Sequence, residues 1–116
     1  MNNEKENMLS AIRLWAIMQG YEEIEKQEKA DLTFEKDGLI TSFITEFDKK
    51  TLELMYVFPL IDKTKTDYLY VVTNDNAKRR ELIKIIPDYC GIFFNGNPFG
   101  LGYLSMILKE AKQIKR

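Results

Sequence analysis

Tyr68-Leu69-Tyr70-Val71-Val72 is an unbroken apolar run, followed at once by Thr73-Asn74-Asp75-Asn76. Such a run suits a strand buried on both faces, and the Asn/Asp-rich tetrad that follows is turn and helix-cap chemistry. A helix is therefore expected over Ala77 to Ile86, with Leu82, Ile83 and Ile86 on its buried face and Pro87-Asp88 as its stop. Ile92-Phe93-Phe94 then supplies a second short buried strand. A buried strand, a helix and another buried strand in succession describe a helical crossover, which commits the chain to a sheet covered by helices.

The upstream half has to fit that sheet. Residues 1–7 are polar and expected to fray. Met8, Leu9, Ile12, Trp15 and Ala16 then follow helical spacing until Gly20. Tyr21 to Lys29 is charged around a single apolar Ile24, as an edge strand guarded by charge would be. Ala30 to Lys36 alternates through Leu32 and Phe34, and Asp37-Gly38 is a hairpin signal leading into Leu39 to Phe47. In residues 49–62, Leu52, Met55, Tyr56, Pro59 and Leu60 form a helical stripe, with Asp48 or Thr51 as cap; a third hairpin strand over Thr51 to Phe58 competes. Asn95 to Gly100 is a loop, and a last helix over Leu101 to Lys115 would bury Leu104, Ile107, Leu108, Ala111 and Ile114. The expected order is αβββ, α, then βαβα: an α/β fold with a central mixed sheet flanked by helices, in one domain spanning 1–116.

Composition removes most catalytic chemistries. Among 116 residues there is no histidine and one cysteine, Cys90, so Ser-His-Asp and Cys-His catalysis, zinc fingers and internal disulfides are excluded. Cys90 is expected as a small buried residue. The uncharged apolar stretch Leu54 to Ile61 is too short for a bilayer span, and the start has no signal-peptide pattern, so a cytoplasmic protein is expected. Net charge is −1, but residues 1–58 carry 7 basic against 12 acidic side chains and residues 59–116 carry 10 against 6. The basic excess includes Lys78, Arg79, Arg80 and Lys84, which form either a solvated helix face or a patch that meets nucleic-acid phosphates.

What remains is carboxylate chemistry. Asp31 opens one strand, and Glu46 and Asp48, two apart near the end of its hairpin partner, share a face. Converging, the three would make an oxygen-ligand site for Mg²⁺, which polarises a phosphodiester and activates water. Otherwise they are solvent-side residues and caps.

The chain also resembles a known family. A helix ending near a glycine, a charged strand, Ala30-Asp31-Leu32 opening the next, and then Asp67-Tyr68-Leu69-Tyr70-Val71-Val72 and Ile85-Ile86-Pro87-Asp88-Tyr89-Cys90-Gly91-Ile92 look like the PD-(D/E)xK phosphodiesterases. The likeness is to their restriction-endonuclease-like and MmcB-like members. It covers most of residues 8 to 96 and implies an αβββαβ core, with Asp31 as the first acid and Glu46 as the second. The family pattern places a lysine two residues after the second acid, where this chain has Asp48, although Asp48-Lys49-Lys50 restores an acid-x-lysine spacing.

Two functions follow as expectations. The first is a Mg²⁺-dependent nuclease-like protein, with Asp31, Glu46 and Asp48 catalytic and Lys78, Arg79, Arg80 and Lys84 on DNA or RNA. The second is a catalytically inactive relative that binds a protein partner, of phage or mobile-element type. A homodimer through an open sheet edge or the last helix is compatible with both.

Overall fold

A computed structural model describes residues 4–46, 51–62 and 66–115. Helix α1 (Glu4–Met18) leads to β1 (Glu22–Ile24), β2 (Leu32–Lys36) and β3 (Leu39–Thr45), an antiparallel meander. Asp37 and Gly38, at φ 55° and 78°, close the β2–β3 hairpin in the left-handed region that their sequence suits. Helix α2 (Thr51–Asp62) crosses to β4 (Tyr68–Thr73), and a short 3₁₀ turn with α3 (Arg79–Ile85) crosses to β5 (Gly91–Gly96). Both crossovers join parallel neighbours, and β6 (Leu104–Lys109) returns antiparallel to β5. The strands lie in chain order from β1 to β6 across one mixed sheet. Among the described residues no helix is long and apolar enough to cross a membrane.

Right-handed crossovers stepping the same way along a sheet place their helices on one face. Leu54, Val57, Phe58 and Ile61 of α2 and Leu82 of α3 accordingly pack together on Ile44, Leu69, Val71 and Ile92. Helix α1 covers the other face, its Met8, Leu9, Ile12 and Ala16 meeting Leu32, Phe34, Phe43, Tyr70, Val72 and Phe93. The alternation of Leu69 and Val71 with Tyr70 and Val72 between the layers is the period of two expected of a strand.

Four expectations need correction. Residues 4–7 are helical rather than frayed, because α1 begins at Glu4: Met8 is fully buried, and Glu4 and Glu6 suit the positive end of the helix dipole. The α2 helix stands where expected but turns a different stripe inward. Met55, Tyr56 and Leu60 face solvent, whereas Leu54, Val57, Phe58 and Ile61 are buried. Both stripes satisfy the helical period, but the buried one hides no hydroxyl and leaves Pro59 outside, where water reaches the carbonyl its missing N–H frees. Ile83 is likewise exposed, while Leu82 and Ile86 are buried. The expected last helix is a strand instead. Gly100 and Gly102, at φ 70° and 130°, break any helix at its start, and β5, apolar on both faces, needs a neighbour beyond it. One extra residue, Leu108, bulges where Ile92 pairs with Lys109 but Phe93 with Ile107. Residues 110–115 then run without regular structure across the starts of β5 and β4, with Lys112 N donating to Tyr89 O (2.8 Å) and Ile114 N to Asp67 O (2.7 Å).

Phe43 is the hub of the layer under α1. Its ring stacks on Tyr70 at 5.5 Å and meets Phe34 and Phe93 edge-on at 5.7 and 5.4 Å. Removing a buried aromatic at such a hub costs about 3–5 kcal/mol. Phe43→Ala is expected to lower unfolding stability by that amount in denaturant titration, whereas Phe99→Ala, at a side chain 82% exposed, stays within about 0.5 kcal/mol of wild type.

Candidate functional site

In sheets with parallel strands, ligands favour the carboxyl ends of those strands. Asp31 and Glu46 both lie at that end, yet each is engaged separately. Asp31 sits just before β2, where its N–H donates to Phe43 O at 2.8 Å. Its Oδ2 accepts the Thr45 N–H at 2.7 Å and the Thr45 hydroxyl at 2.8 Å, and its Oδ1 lies 3.5 Å from Lys5 Nζ on α1. Glu46, the next residue after Thr45, reaches the other way: its Oε1 pairs with Lys78 Nζ at 3.4 Å, at the entry to α3. Since α1 and α3 cover opposite faces, the two carboxylates are held toward opposite layers. Asp48 lies outside the described residues, and among those described no group of three carboxylate or cysteine side chains is placed to hold a metal ion.

The basic set is mostly a solvated helix face. Lys78 is occupied by Glu46, while Arg79, Arg80 and Lys84 are exposed along α3. Nearby, Asp75 caps the 3₁₀ turn by accepting the Ala77 N–H at 2.9 Å, as the Asn/Asp tetrad leads one to expect. Cys90 is fully buried at the start of β5.

A polar cavity among the described residues lies at the opposite, amino end of the parallel strands, on the α1 face. It measures about 380 Å³, and Tyr21, Tyr68 and Tyr70 line it together with Lys36 and Glu110. The hairpin supplies Lys36, the start of β4 supplies Tyr68 and Tyr70, and the segment after β6 supplies Glu110. Tyr70 is fixed from several sides. Its hydroxyl donates to Glu110 Oε2 and accepts the Ala111 N–H, both at 3.2 Å, and its ring stacks on Phe43. Gly91 makes room for that ring: a Cβ there would collide with Tyr70 and lie 2.7 Å from Ala111 N. Burial pushes the Tyr70 hydroxyl up to about 12; the Ala111 amide offsets part of this and the Glu110 charge adds to it. Tyr21 is also raised by burial, against a hydrogen bond from Thr41.

The sequence places Tyr68 and Tyr70 on a strand buried on both faces and carries no sign of Glu110. The available signal was the alternation of tyrosines on a strand otherwise aliphatic, because a hydroxyl brought to a buried layer needs a polar destination.

No family model, curated protein or solved structure matches the chain.

Tyr70 makes stability sensitive to alkali. The unfolded chain releases this phenolic proton near 10.0 and the native state near 12, so between those values the unfolded state binds fewer protons and stability falls as pH rises. Denaturation midpoints measured from pH 9 to 11.5 are expected to drop more steeply for wild type than for Tyr70→Phe.

Proposed function

We propose that the chain is a non-catalytic protein-interaction module on a nuclease-like arrangement of elements, rather than a Mg²⁺-dependent phosphodiesterase acting on DNA or RNA. The observation that carries this is the separate commitment of Asp31 to Thr45 and Lys5 and of Glu46 to Lys78. A carboxylate that accepts two hydrogen bonds from its own sheet and faces an ammonium has its charge already satisfied, and recruiting a cation means giving those contacts up. The helix, three-strand meander, helix and parallel strand still follow the order that the PD-(D/E)xK resemblance implies.

The two edges of the sheet support the interaction reading. Natural edges are shielded by brevity and charge. The β1 edge has both: three residues, two of them Glu22 and Glu23. The β6 edge has six, and Leu104 to Leu108 carry no charge. Lys109 does not guard it, because its ammonium donates back to Asp88 O at 3.2 Å and Cys90 O at 3.0 Å. Leu104 and Met106 are 50% and 43% exposed beside that open backbone. A second copy of the chain suits it. Antiparallel pairing centred on Met106 sets Leu104 against Leu108 of the second copy and brings no charge to the seam.

Two measurements test this. Calorimetric titration of Mg²⁺ and Mn²⁺ into wild type and into the Asp31→Ala, Glu46→Ala double variant is expected to show no site-dependent binding, with no cleavage of mixed DNA and RNA; binding lost in the variant restores the nuclease. Asp31→Ala alone is expected to cost about 1–3 kcal/mol of stability, because it strands the Thr45 donors. In sedimentation velocity, wild type is expected to dimerise with rising concentration and Met106→Lys to remain monomeric, and a wild type that is monomeric throughout overturns pairing through β6.

A further inference from the structure

The tyrosine-lined cavity plays no part in the reading above and carries its own chemistry. We infer that it is a binding site for an alkylammonium group, a primary or methylated amine held against the tyrosine wall and neutralised by Glu110.

Charge selects a cation. Two carboxylates, Asp37 and Glu110, line the cavity against one ammonium, that of Lys36. Among the described residues that ammonium pairs with neither carboxylate and donates instead to Gln19 O at 2.8 Å, just past α1. The tyrosine hydroxyls keep their protons through the neutral range, since burial raises both Tyr21 and Tyr70, so they contribute dipoles and no charge. Glu110 accepts a hydrogen bond from the Tyr70 hydroxyl, which holds the carboxylate in place at the cavity.

The wall itself selects an ammonium. Lys36 Nζ lies 5.2 Å from the centroid of the Tyr21 ring, within the range of a cation–π contact, so the chain already satisfies one of its own ammonium groups at this wall. Tyrosine faces with a carboxylate at one side form the arrangement that recognises organic ammonium ions, which shed water more readily than metal ions do. The volume, about 380 Å³, falls at the small end of ligand pockets and suits a headgroup rather than a nucleotide. The cavity is also built rather than incidental. Gly91 admits the Tyr70 ring, Phe43 stacks beneath it, and the Ala111 amide ties its hydroxyl to the strap that brings in Glu110.

The group has two possible carriers, a free amine or the lysine side chain of a peptide, and the test separates them. Wild-type full-length protein is titrated by NMR with tetramethylammonium, methylammonium, the neutral isostere 3,3-dimethylbutanol and sodium acetate. A short peptide containing trimethyllysine is compared with its norleucine counterpart. The ammonium ions are expected to saturate with shifts at Tyr21, Tyr70 and Glu110, and the isostere and acetate to cause none there. Glu110→Gln, which keeps an acceptor for Tyr70, is expected to weaken binding about tenfold while leaving the thermal midpoint close to wild type. If that variant does not fold, Asp37→Asn replaces it, because asparagine tolerates the φ of 55° at this position, and a loss of about threefold is expected. A peptide that binds more than about tenfold tighter than tetramethylammonium assigns the site to a lysine side chain, and parity assigns it to a free amine. Absence of saturable ammonium binding, equal shifts with the neutral isostere, or unchanged affinity in the folded carboxylate variant overturns the assignment.

Discussion

The aromatic layer between α1 and the sheet is the constraint from which the rest of the structure follows. Phe43 contacts Phe34 on one neighbouring strand and Tyr70 on the other, and Phe93 one strand further on, so a single ring bridges β2 to β5. Trp15 closes the layer from above, meeting Phe93 at 4.8 Å and stacking on Tyr21 at 6.0 Å. Edge-to-face pairs of this kind add to the gain from burial, but their larger effect is geometric, because each ring fixes the angle of the next. With this face filled by aromatics and α1, the crossover helices pack their apolar side chains on the other face. The orientation of Tyr70, and with it the amino-end cavity, is inherited from the same stack.

Polar chemistry is distributed to the two ends of the strands. At the carboxyl end, acids and lysines cancel locally: Asp31 with Lys5 and Thr45, Glu46 with Lys78. These contacts stitch α1 and the α3 entry to the sheet, a structural role for residues that a motif-based view assigns to catalysis. At the amino end the cancellation is incomplete. Tyrosine hydroxyls and Glu110 converge there on open volume, and the Lys36 ammonium on the same wall is bonded to Gln19 O rather than to a carboxylate. At the end that looks like a nuclease site in sequence, Asp31 and Glu46 are thus each paired with a lysine, and the tyrosine-lined cavity lies at the end that looks like core.

The fold was readable where one residue pattern admitted one solution. Asp37-Gly38 admits a hairpin, and Tyr68 to Val72 before an Asn/Asp turn admits a buried strand and crossover helix; both stand as read. Reading failed where two solutions shared a period. Leu104, Ile107, Leu108 and Ala111 fit a helical stripe, yet the segment is a strand and its extension, because β5 offered an unsatisfied backbone edge, which is a tertiary demand with no local trace. The same ambiguity turned α2 on its axis. For the site, the positions of Asp31 and Glu46 at the carboxyl end were legible, but their allegiance to opposite layers depends on Lys5 and Lys78, whose approach only the packed helices determine. Glu110 was invisible because it reaches Tyr70 from forty residues away.

The sheet's spatial order repeats its chain order, so each strand from β2 onward pairs with a neighbour already made. Such a topology keeps most pairings close along the chain and suits assembly strand by strand as a polypeptide emerges from the ribosome. The amino-end cavity breaks that schedule. Its walls from the hairpin and β4 come early, but the carboxylate and the amide that anchor Tyr70 come from residues 110 and 111, after the final strand has paired. A nascent chain thus possesses a nearly complete sheet before it possesses a finished cavity, and the cavity reports that synthesis has passed β6.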